Sequence, residues 1–387
     1  MSFTLGQVRD YCEPFLRRKK FSYNQLNGVL SPTQKKDLGL AYSFAVPGEA
    51  ASGFMLQLRN ASPHLREPIM EEISRLEGKK GLSGDEKREF FQRVRRIFIA
   101  NGIHTDHGRP GSVGLILKQT EIEGVPACFY LGETSSRSIF PGRLTLPTSD
   151  DQGFLLVNVS SAGQRITQVL DMLFSSERDP EDFIERVLVR ADPKELEGYV
   201  NMLNLDFNTV NVDFVLHIAS MRISIDRIAA LMDRSDSPAD FLLRALNNEL
   251  DSILSHETAH ILEGKANGHL RISKEKKEML AYLMQAVYSC PEIAVRSIID
   301  RHELDFDDVM PHLVQQVMAM GHDAFSGDVN LLRESARGHL DDHCLMLTGK
   351  THDQLVDTRR LRKVQTSDHI TKEHLPLIEK TICNPSK

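Results

Sequence analysis

The feature that most constrains this chain is a long helix signal between residues 237 and 264. Ser237 is typical of a helix N-cap, Pro238 of a first helical residue, and Gly264 of a helix end. The next signal, SKEKKEMLAYLMQAVYSC, follows after a short loop and stops before Pro291. The sequence therefore predicts two consecutive helices separated by a short connection.

The first of these helices carries two histidines four positions apart, His256 and His260, with Glu257 between them. Positions i and i+4 of a helix lie ~40° apart around the axis and ~6 Å apart along it, so both imidazoles can reach one ion. Neutral imidazole suits Zn²⁺. Glu257 lies ~100° around the helix from His256, where it can accept a proton from a zinc-bound water without coordinating the metal.

The residues around this motif are uncharged, as a helix buried along one side requires. In the form ILSHETAHIL, the segment resembles the active-site helix of the zincin superfamily of zinc metallopeptidases. This resemblance covers about ten residues and the helix that follows. It implies a single Zn²⁺ ion held by His256 and His260, with Glu257 as the general base.

A catalytic zinc usually takes a third protein ligand and keeps one position open. The metzincin pattern would place glycine at 263 and histidine at 266, but the chain has Glu263 and Ala266. The gluzincin pattern uses a glutamate on the next helix, and Glu278, followed by Ala281, is similar to that ligand. Glu275 and His269 are the alternatives for the third ligand.

A peptidase also needs a donor for the developing oxyanion. Tyr282 lies one turn beyond Glu278, where the thermolysin-like pattern has an aspartate, and it is our candidate for this role. Tyr288, His339 and His343 are alternatives, and packing in the core is the competing interpretation for both tyrosines.

Other polar clusters offer rival metal sites. HLDDHC also sets two histidines four apart, His339 and His343, with Asp341 and Asp342 between them. Because Gly338 precedes it, we expect this segment at the start of a surface helix. Two further candidates are a loop with His104, Asp106 and His107, which we expect to be exposed, and His217, which we expect to be a core residue.

Fold class follows from the order of these signals. Helical patterns fill most of the chain, SGDEKREFFQRVRRIFIANG with a capping box at Ser83 and Glu86 among them, whereas GEAASG at 48–53 is typical of a loop. Strand patterns lie between 112 and 161, with a hairpin signal at Glu123 and Gly124. The sequence thus predicts an α+β, predominantly helical fold, with a small mixed β-sheet packed with a zincin-like active-site helix.

Three regions are expected along the 387 residues. Residues 1–110 form a helical N-terminal region, a candidate exosite or delivery module. Residues 111–345 form the zincin-like domain, and residues 346–387 form a polar tail. These boundaries follow changes in composition and in helix and strand signals.

Composition excludes several classes of partner. A net charge of -7 argues against general binding to nucleic acid or to a membrane surface. The five scattered cysteines contain no CxxC pair, which is typical of a reducing compartment. Without a signal sequence or an apolar membrane-spanning run, the chain is expected in the cytoplasm, with export as a signal-less effector left open.

Three functional hypotheses remain from the sequence. The first is a zinc metalloendopeptidase that hydrolyses a polypeptide substrate. The second is a non-enzymatic helical scaffold or adaptor in which the histidines of the motif are structural. The third and weaker hypothesis keeps the metal but changes the chemistry to another hydrolysis. The substrate and the oligomeric state are not encoded in any pattern we recognise.

Overall fold

A computed structural model of the protein describes about three fifths of the chain, with most of the segment 164–226 and all of the segment 295–328 outside it. The described residues are 3–16, 23–45, 50–79, 81–105, 113–122, 125–132, 142–145, 154–163, 166, 170, 227–266, 274–289, 291, 293–294, 329–355 and 368–383. The helical patterns that the sequence shows between 163 and 226 therefore lie mostly outside the described residues, and Asp106, His107, His217 and His269 lie outside them entirely.

Helices dominate the described residues. The helices are α1 Leu5–Leu16, α2 Tyr23–Val29, α3 Pro32–Ala45, α4 Ala50–Asn60, α5 Pro63–Ser74, α6 Gly84–Ala100, α7 Pro238–Ala266, α8 Lys274–Tyr288, α9 Val329–Thr348, α10 His352–Leu355 and α11 Leu375–Cys383. The strands are β1 Ile103–His104, β2 Gly114–Ile122, β3 Val125–Gly132, β4 Gly142–Thr145 and β5 Phe154–Asn158. None of the described helices combines the length and apolarity needed to cross a bilayer.

The chain divides into two compact units, each assembled from non-contiguous segments. We call the first the motif unit: Met1–Leu16, Ile122–Val125 and Arg165–His369. We call the second the sheet unit: Arg17–Glu121, Pro126–Gln164 and Ile370–Lys387. The three regions expected from the sequence, with boundaries at 110 and 345, stay a prediction.

The sheet unit contains a mixed sheet in the order β1-β2-β3-β5-β4. The pair β1–β2 is antiparallel, β3–β5 is parallel and β4–β5 is antiparallel. Strands β2 and β3 are neighbours on either side of the hairpin predicted at Glu123 and Gly124. The structure thus confirms a predominantly helical α+β fold with a small mixed sheet.

The core of the sheet unit surrounds Phe44 on α3. Its ring lies 5.8 Å from that of Phe54, 5.7 Å from Phe91 and 5.6 Å from Phe98. Helix α6 begins as predicted, with the reciprocal capping box in which Ser83 accepts from the Glu86 amide and Glu86 accepts from the Ser83 amide. This cap fixes where α6 starts and so which of its residues face the core.

Two segments of the sheet unit differ from the prediction. The stretch 48–53, expected as a loop, enters α4 at Ala50, and the helix tolerates Gly53 because most of its other residues are good helix formers. The expected polar tail includes α11, where Leu375 and Ile378 are 7% and 1% exposed. Their three-residue spacing gives this short helix one apolar face.

The motif unit is built around α7, which packs against α1 and α8, while α8 also packs against α9. Helix α7 extends two residues beyond the predicted end, to Ala266, and α8 covers the second predicted helix. Phe241, Leu250 and Leu254 on α7 are buried. The two predicted helices are therefore confirmed, and they lie against one another.

Two hydrogen bonds join His369 to the middle of α7. The imidazole Nε2 lies 2.6 Å from Asp251 Oδ1, and the His369 amide donates to Asn247 Oδ1 at 2.9 Å. Burial raises the pKa of Asp251, and the hydrogen bond with His369 opposes that rise. His369 is 3% exposed, so this contact stabilises the helix through groups that water cannot easily replace.

Replacing His369 with alanine should lower the free energy of unfolding by about 2–4 kcal/mol, because Asp251 would remain buried without its partner. Denaturant titration followed by circular dichroism measures the change. The exposed neighbour Lys372 provides the matched control, and Lys372→Ala should change stability by less than about 0.5 kcal/mol. Equal losses of unfolding free energy in the two variants would contradict a stabilising role for the His369 hydrogen bonds.

Candidate metal centre

Helices α7 and α8 lie antiparallel, and their facing side chains meet in a regular order. Gln285 donates to Ser252, the ring of Tyr282 packs on that of His256, and Glu278 approaches His260. From one contact to the next, the position moves four residues forward along α7 and three or four residues backward along α8. This register sets which polar groups share the interface between the two helices.

Three possible metal ligands converge at one end of that interface. His256 Nε2 and His260 Nε2 are 3.2 Å apart. Glu278 places one carboxylate oxygen 3.5 Å from His256 Nε2 and the other 3.7 Å from His260 Nε2. The helical spacing explains the first distance, and the pairing of α7 with α8 explains the other two.

These distances match the donor set of a tetrahedral zinc site. Ligand atoms at 2.0–2.2 Å from zinc in a tetrahedron lie about 3.3–3.6 Å from one another. The side chains of His256, His260 and Glu278 are 11%, 18% and 18% exposed, so the group is largely, but not fully, enclosed. Two imidazoles and one carboxylate also form the His₂Glu set found in catalytic zinc sites, with a fourth position left for water or substrate. The residues present therefore fit one Zn²⁺ ion.

Burial around the motif follows the uncharged pattern seen in the sequence. Leu254, Thr258 and Ala259 are each 1% exposed or less, and Ile261 is 8% exposed. These residues hold α7 in the interior of the motif unit, so the imidazoles cannot turn away from α8 without disturbing the packing. The site is thus organised by the fold before any metal binds.

Glu257, the predicted general base, is half-buried on α7 directly after the first histidine. Its position on the helix is ~100° around the axis from that of His256. A carboxylate beside a zinc site is the type of group that takes a proton from an attacking water.

Tyr282 lies against the first ligand. Its ring centroid is 4.6 Å from that of His256, with the planes tilted by 56°, and the residue is 3% exposed. The ring therefore limits rotation of the His256 imidazole. Its predicted role as an oxyanion donor stays a prediction, because the ring contact alone does not place the hydroxyl at a reacting carbonyl.

Of the alternative donors, Tyr288 lies away from this centre. Among the described residues, His256, His260 and Glu278 form the single group of three or more His, Cys, Asp or Glu residues whose ligand atoms come within 4.8 Å of one another. Tyr288, ten residues beyond Glu278 on α8, is about 15 Å further along the helix. Its hydroxyl lies 2.9 Å from His352 Nδ1. His269 and the side chain of Glu275 lie outside the described residues.

The rival clusters take other roles in the structure. HLDDHC, expected at a helix start, lies inside α9, because Gly338 is tolerated within the helix. Asp341 there accepts from the amide of His352, at the beginning of α10. His104, expected in an exposed loop, is 2% exposed on β1 and its ring lies 4.3 Å from that of Tyr130.

Sequence reasoning missed several polar contacts of α7. Ser252 and Gln285 meet between the helices, and Arg227 donates to Glu249 at 2.9 Å, with Glu249 fully buried. Glu249, Ser252 and His256 follow one another at spacings of three and four, which places them on one face of α7. That spacing is the available signal, but polar residues at helical spacing are usually taken for a solvated face.

Comparison with protein-family models, with curated proteins and with solved structures found no match to this chain.

The geometry predicts one Zn²⁺ per chain, bound through three side chains. His256→Ala, His260→Ala and Glu278→Ala should each weaken zinc binding by more than about 100-fold, because each removes a direct ligand, which costs more than removal of an outer partner. Competition with a chromophoric chelator measures the affinity, and elemental analysis measures the stoichiometry. His343→Ala is the control from the rival cluster and should leave the affinity unchanged. If His343→Ala lost zinc instead, the result would indicate a zinc site on α9.

Proposed function

We propose that this chain is a zinc-dependent metallopeptidase that hydrolyses peptide bonds of a protein substrate. The observation that supports this most directly is the convergence of His256, His260 and Glu278 at separations of 3.2–3.7 Å. The motif supplies a carboxylate next to the first ligand, which a purely structural zinc site does not require.

His256, His260 and Glu278 would hold the ion from the α7–α8 interface. When bound, zinc lowers the pKa of its coordinated water and polarises the carbonyl of the scissile bond. Tyr282 would keep the His256 ring in place through its ring contact. As a further proposal, the Tyr282 hydroxyl would donate to the developing oxyanion.

Glu257 would carry the proton through the reaction. Its carboxylate accepts a proton from the attacking water as the water oxygen bonds to the carbonyl carbon. The carboxylic acid then gives that proton to the departing nitrogen as the carbon–nitrogen bond breaks. The products are a new carboxylate and a new amine, and Glu257 returns to its ionised form.

The setting of this reaction follows from the sequence. The net charge of -7 favours a polypeptide substrate over nucleic acid. We propose that the chain works in the cytoplasm, either of the cell that makes it or, as a signal-less effector, of another cell. The helical N-terminal region would then serve as an exosite or delivery module.

Glu257→Gln should keep zinc affinity within about 3-fold of the parent and lower peptide hydrolysis by about 10²–10⁴-fold, because the amide cannot accept the proton. The assay incubates the full-length chain with a proteome-derived peptide library and identifies new amino termini by mass spectrometry. Glu263→Gln, on the same helix but outside the motif, is the matched control and should retain activity. Full activity in Glu257→Gln would contradict the general-base role.

The alternative function is a helical scaffold in which the two histidines are structural. It predicts purified protein without zinc and an unfolding transition that a chelator does not change. A ligand that binds only the folded state raises stability in proportion to the logarithm of its concentration over Kd. Thermal unfolding with zinc and with chelator therefore separates the scaffold from the peptidase.

A further inference from the structure

His256 has a buried nitrogen that the α7–α8 contacts leave without a partner. Its Nε2 faces His260 and Glu278, whereas its Nδ1 is buried and has no hydrogen-bond partner among the described residues. A metal on Nε2 would require Nδ1 to carry the proton, because only the neutral ring binds as a ligand. Nδ1 would then be a buried donor in need of an acceptor.

Gln285 offers the matching half of such a pair. It is 3% exposed, and its Oε1 is buried without a hydrogen-bond partner among the described residues. Its Nε2 donates to Ser252 Oγ, so the amide nitrogen is occupied and the oxygen remains as the acceptor. Ser252 is one helical turn before His256, and Gln285 is three residues after Tyr282, which touches the His256 ring. His256 Nδ1 and Gln285 Oε1 therefore belong to neighbouring helical turns of the α7–α8 interface.

The other unpartnered buried hydroxyls nearby are less suited. Ser255 and Thr258 each have a buried hydroxyl oxygen without a partner among the described residues. They lie ~100° and ~200° around the helix from His256, whereas Ser252 and His260 lie ~40° from it and face α8. Gln285 approaches from α8 itself, on the side to which the His256 ring is turned.

We propose that Gln285 is the positioning residue for His256: its side-chain oxygen accepts the Nδ1 proton, directly or through one water, when a metal occupies Nε2. Outer partners of this kind fix the tautomer and orientation of a histidine ligand and raise its basicity. In this chain a neutral amide thus takes the part that a carboxylate plays at many zinc-bound histidines.

The test is zinc affinity, measured on the full-length chain by competition with a chromophoric chelator. Gln285→Met keeps the length of the side chain but removes the acceptor, and we expect a 10–100-fold weaker Kd for zinc. Gln285→Glu restores an acceptor and should bind zinc at least as tightly as the parent. Unfolding of each metal-free protein in chelator shows that the variants are folded.

Ser252→Ala is the matched control, because it removes the contact to Gln285 but leaves the acceptor oxygen in place. It should weaken zinc binding by less than about 3-fold, whereas an effect as large as that of Gln285→Met would show a general packing role and overturn the proposal. Unchanged affinity in Gln285→Met, or equal losses in Gln285→Met and Gln285→Glu, would also overturn it.

This proposal rests on the zinc site of the proposed function but not on hydrolysis, so the two fail in different ways. Normal zinc affinity in Gln285→Met, with a parent that cleaves peptides, would overturn only the role of Gln285. Weakened zinc affinity in Gln285→Met, with a parent that binds zinc but cleaves no peptide, would support the role of Gln285 and overturn the peptidase function. A parent without measurable zinc affinity would overturn both.

Discussion

The antiparallel register of α7 and α8 is the constraint on which the candidate site depends. His256 and His260 are close for a local reason, since four residues make about one helical turn. Glu278 joins them only because α8 returns along α7 with its own first turns level with the last turns of α7. A shift of one residue in that register would rotate Glu278 by ~100° and remove the carboxylate from both imidazoles.

Buried polar contacts give this register its specificity. Apolar side chains such as Leu250 and Leu254 favour contact between the helices, but many helix alignments bury similar apolar area. The contact between Ser252 and Gln285 forms in one alignment, and a slip would leave both groups buried without this partner. The polar groups of the interface therefore act together: Ser252 and Gln285 favour one alignment, and that alignment brings His256, His260 and Glu278 together.

The sequence was most informative where the signal is local. The capping box at Ser83, the hairpin at Glu123 and Gly124, and the His256–His260 spacing each depend on residues a few positions apart. The choice of Glu278 as a candidate ligand also came from a local pattern, because this residue lies in the first turns of the next helix. Helix α11 was missed because it is only 9 residues long and follows a polar stretch of the chain.

Contacts between distant residues were beyond this kind of reasoning. His369 pairs with Asp251 across 118 positions, and Tyr288 meets His352 across 64. The contact between Gln285 and Ser252 could not be predicted from the sequence, because it is defined only once the two helices are aligned. The pattern within one helix identifies which face is polar, but the packing of the next helix decides what that face contacts.

The placement of the three ligands near the ends of their helices has a consequence for how an ion would act on the fold. His260 is six residues from the end of α7, and Glu278 is four residues from the start of α8. A cation joining them would cross-link two positions only 18 residues apart, enclosing the connection 267–273. Closing so short a loop restricts the unfolded chain modestly. Metal would therefore act mainly on fraying of the two helix ends, and access to the centre would be governed by how readily those ends open.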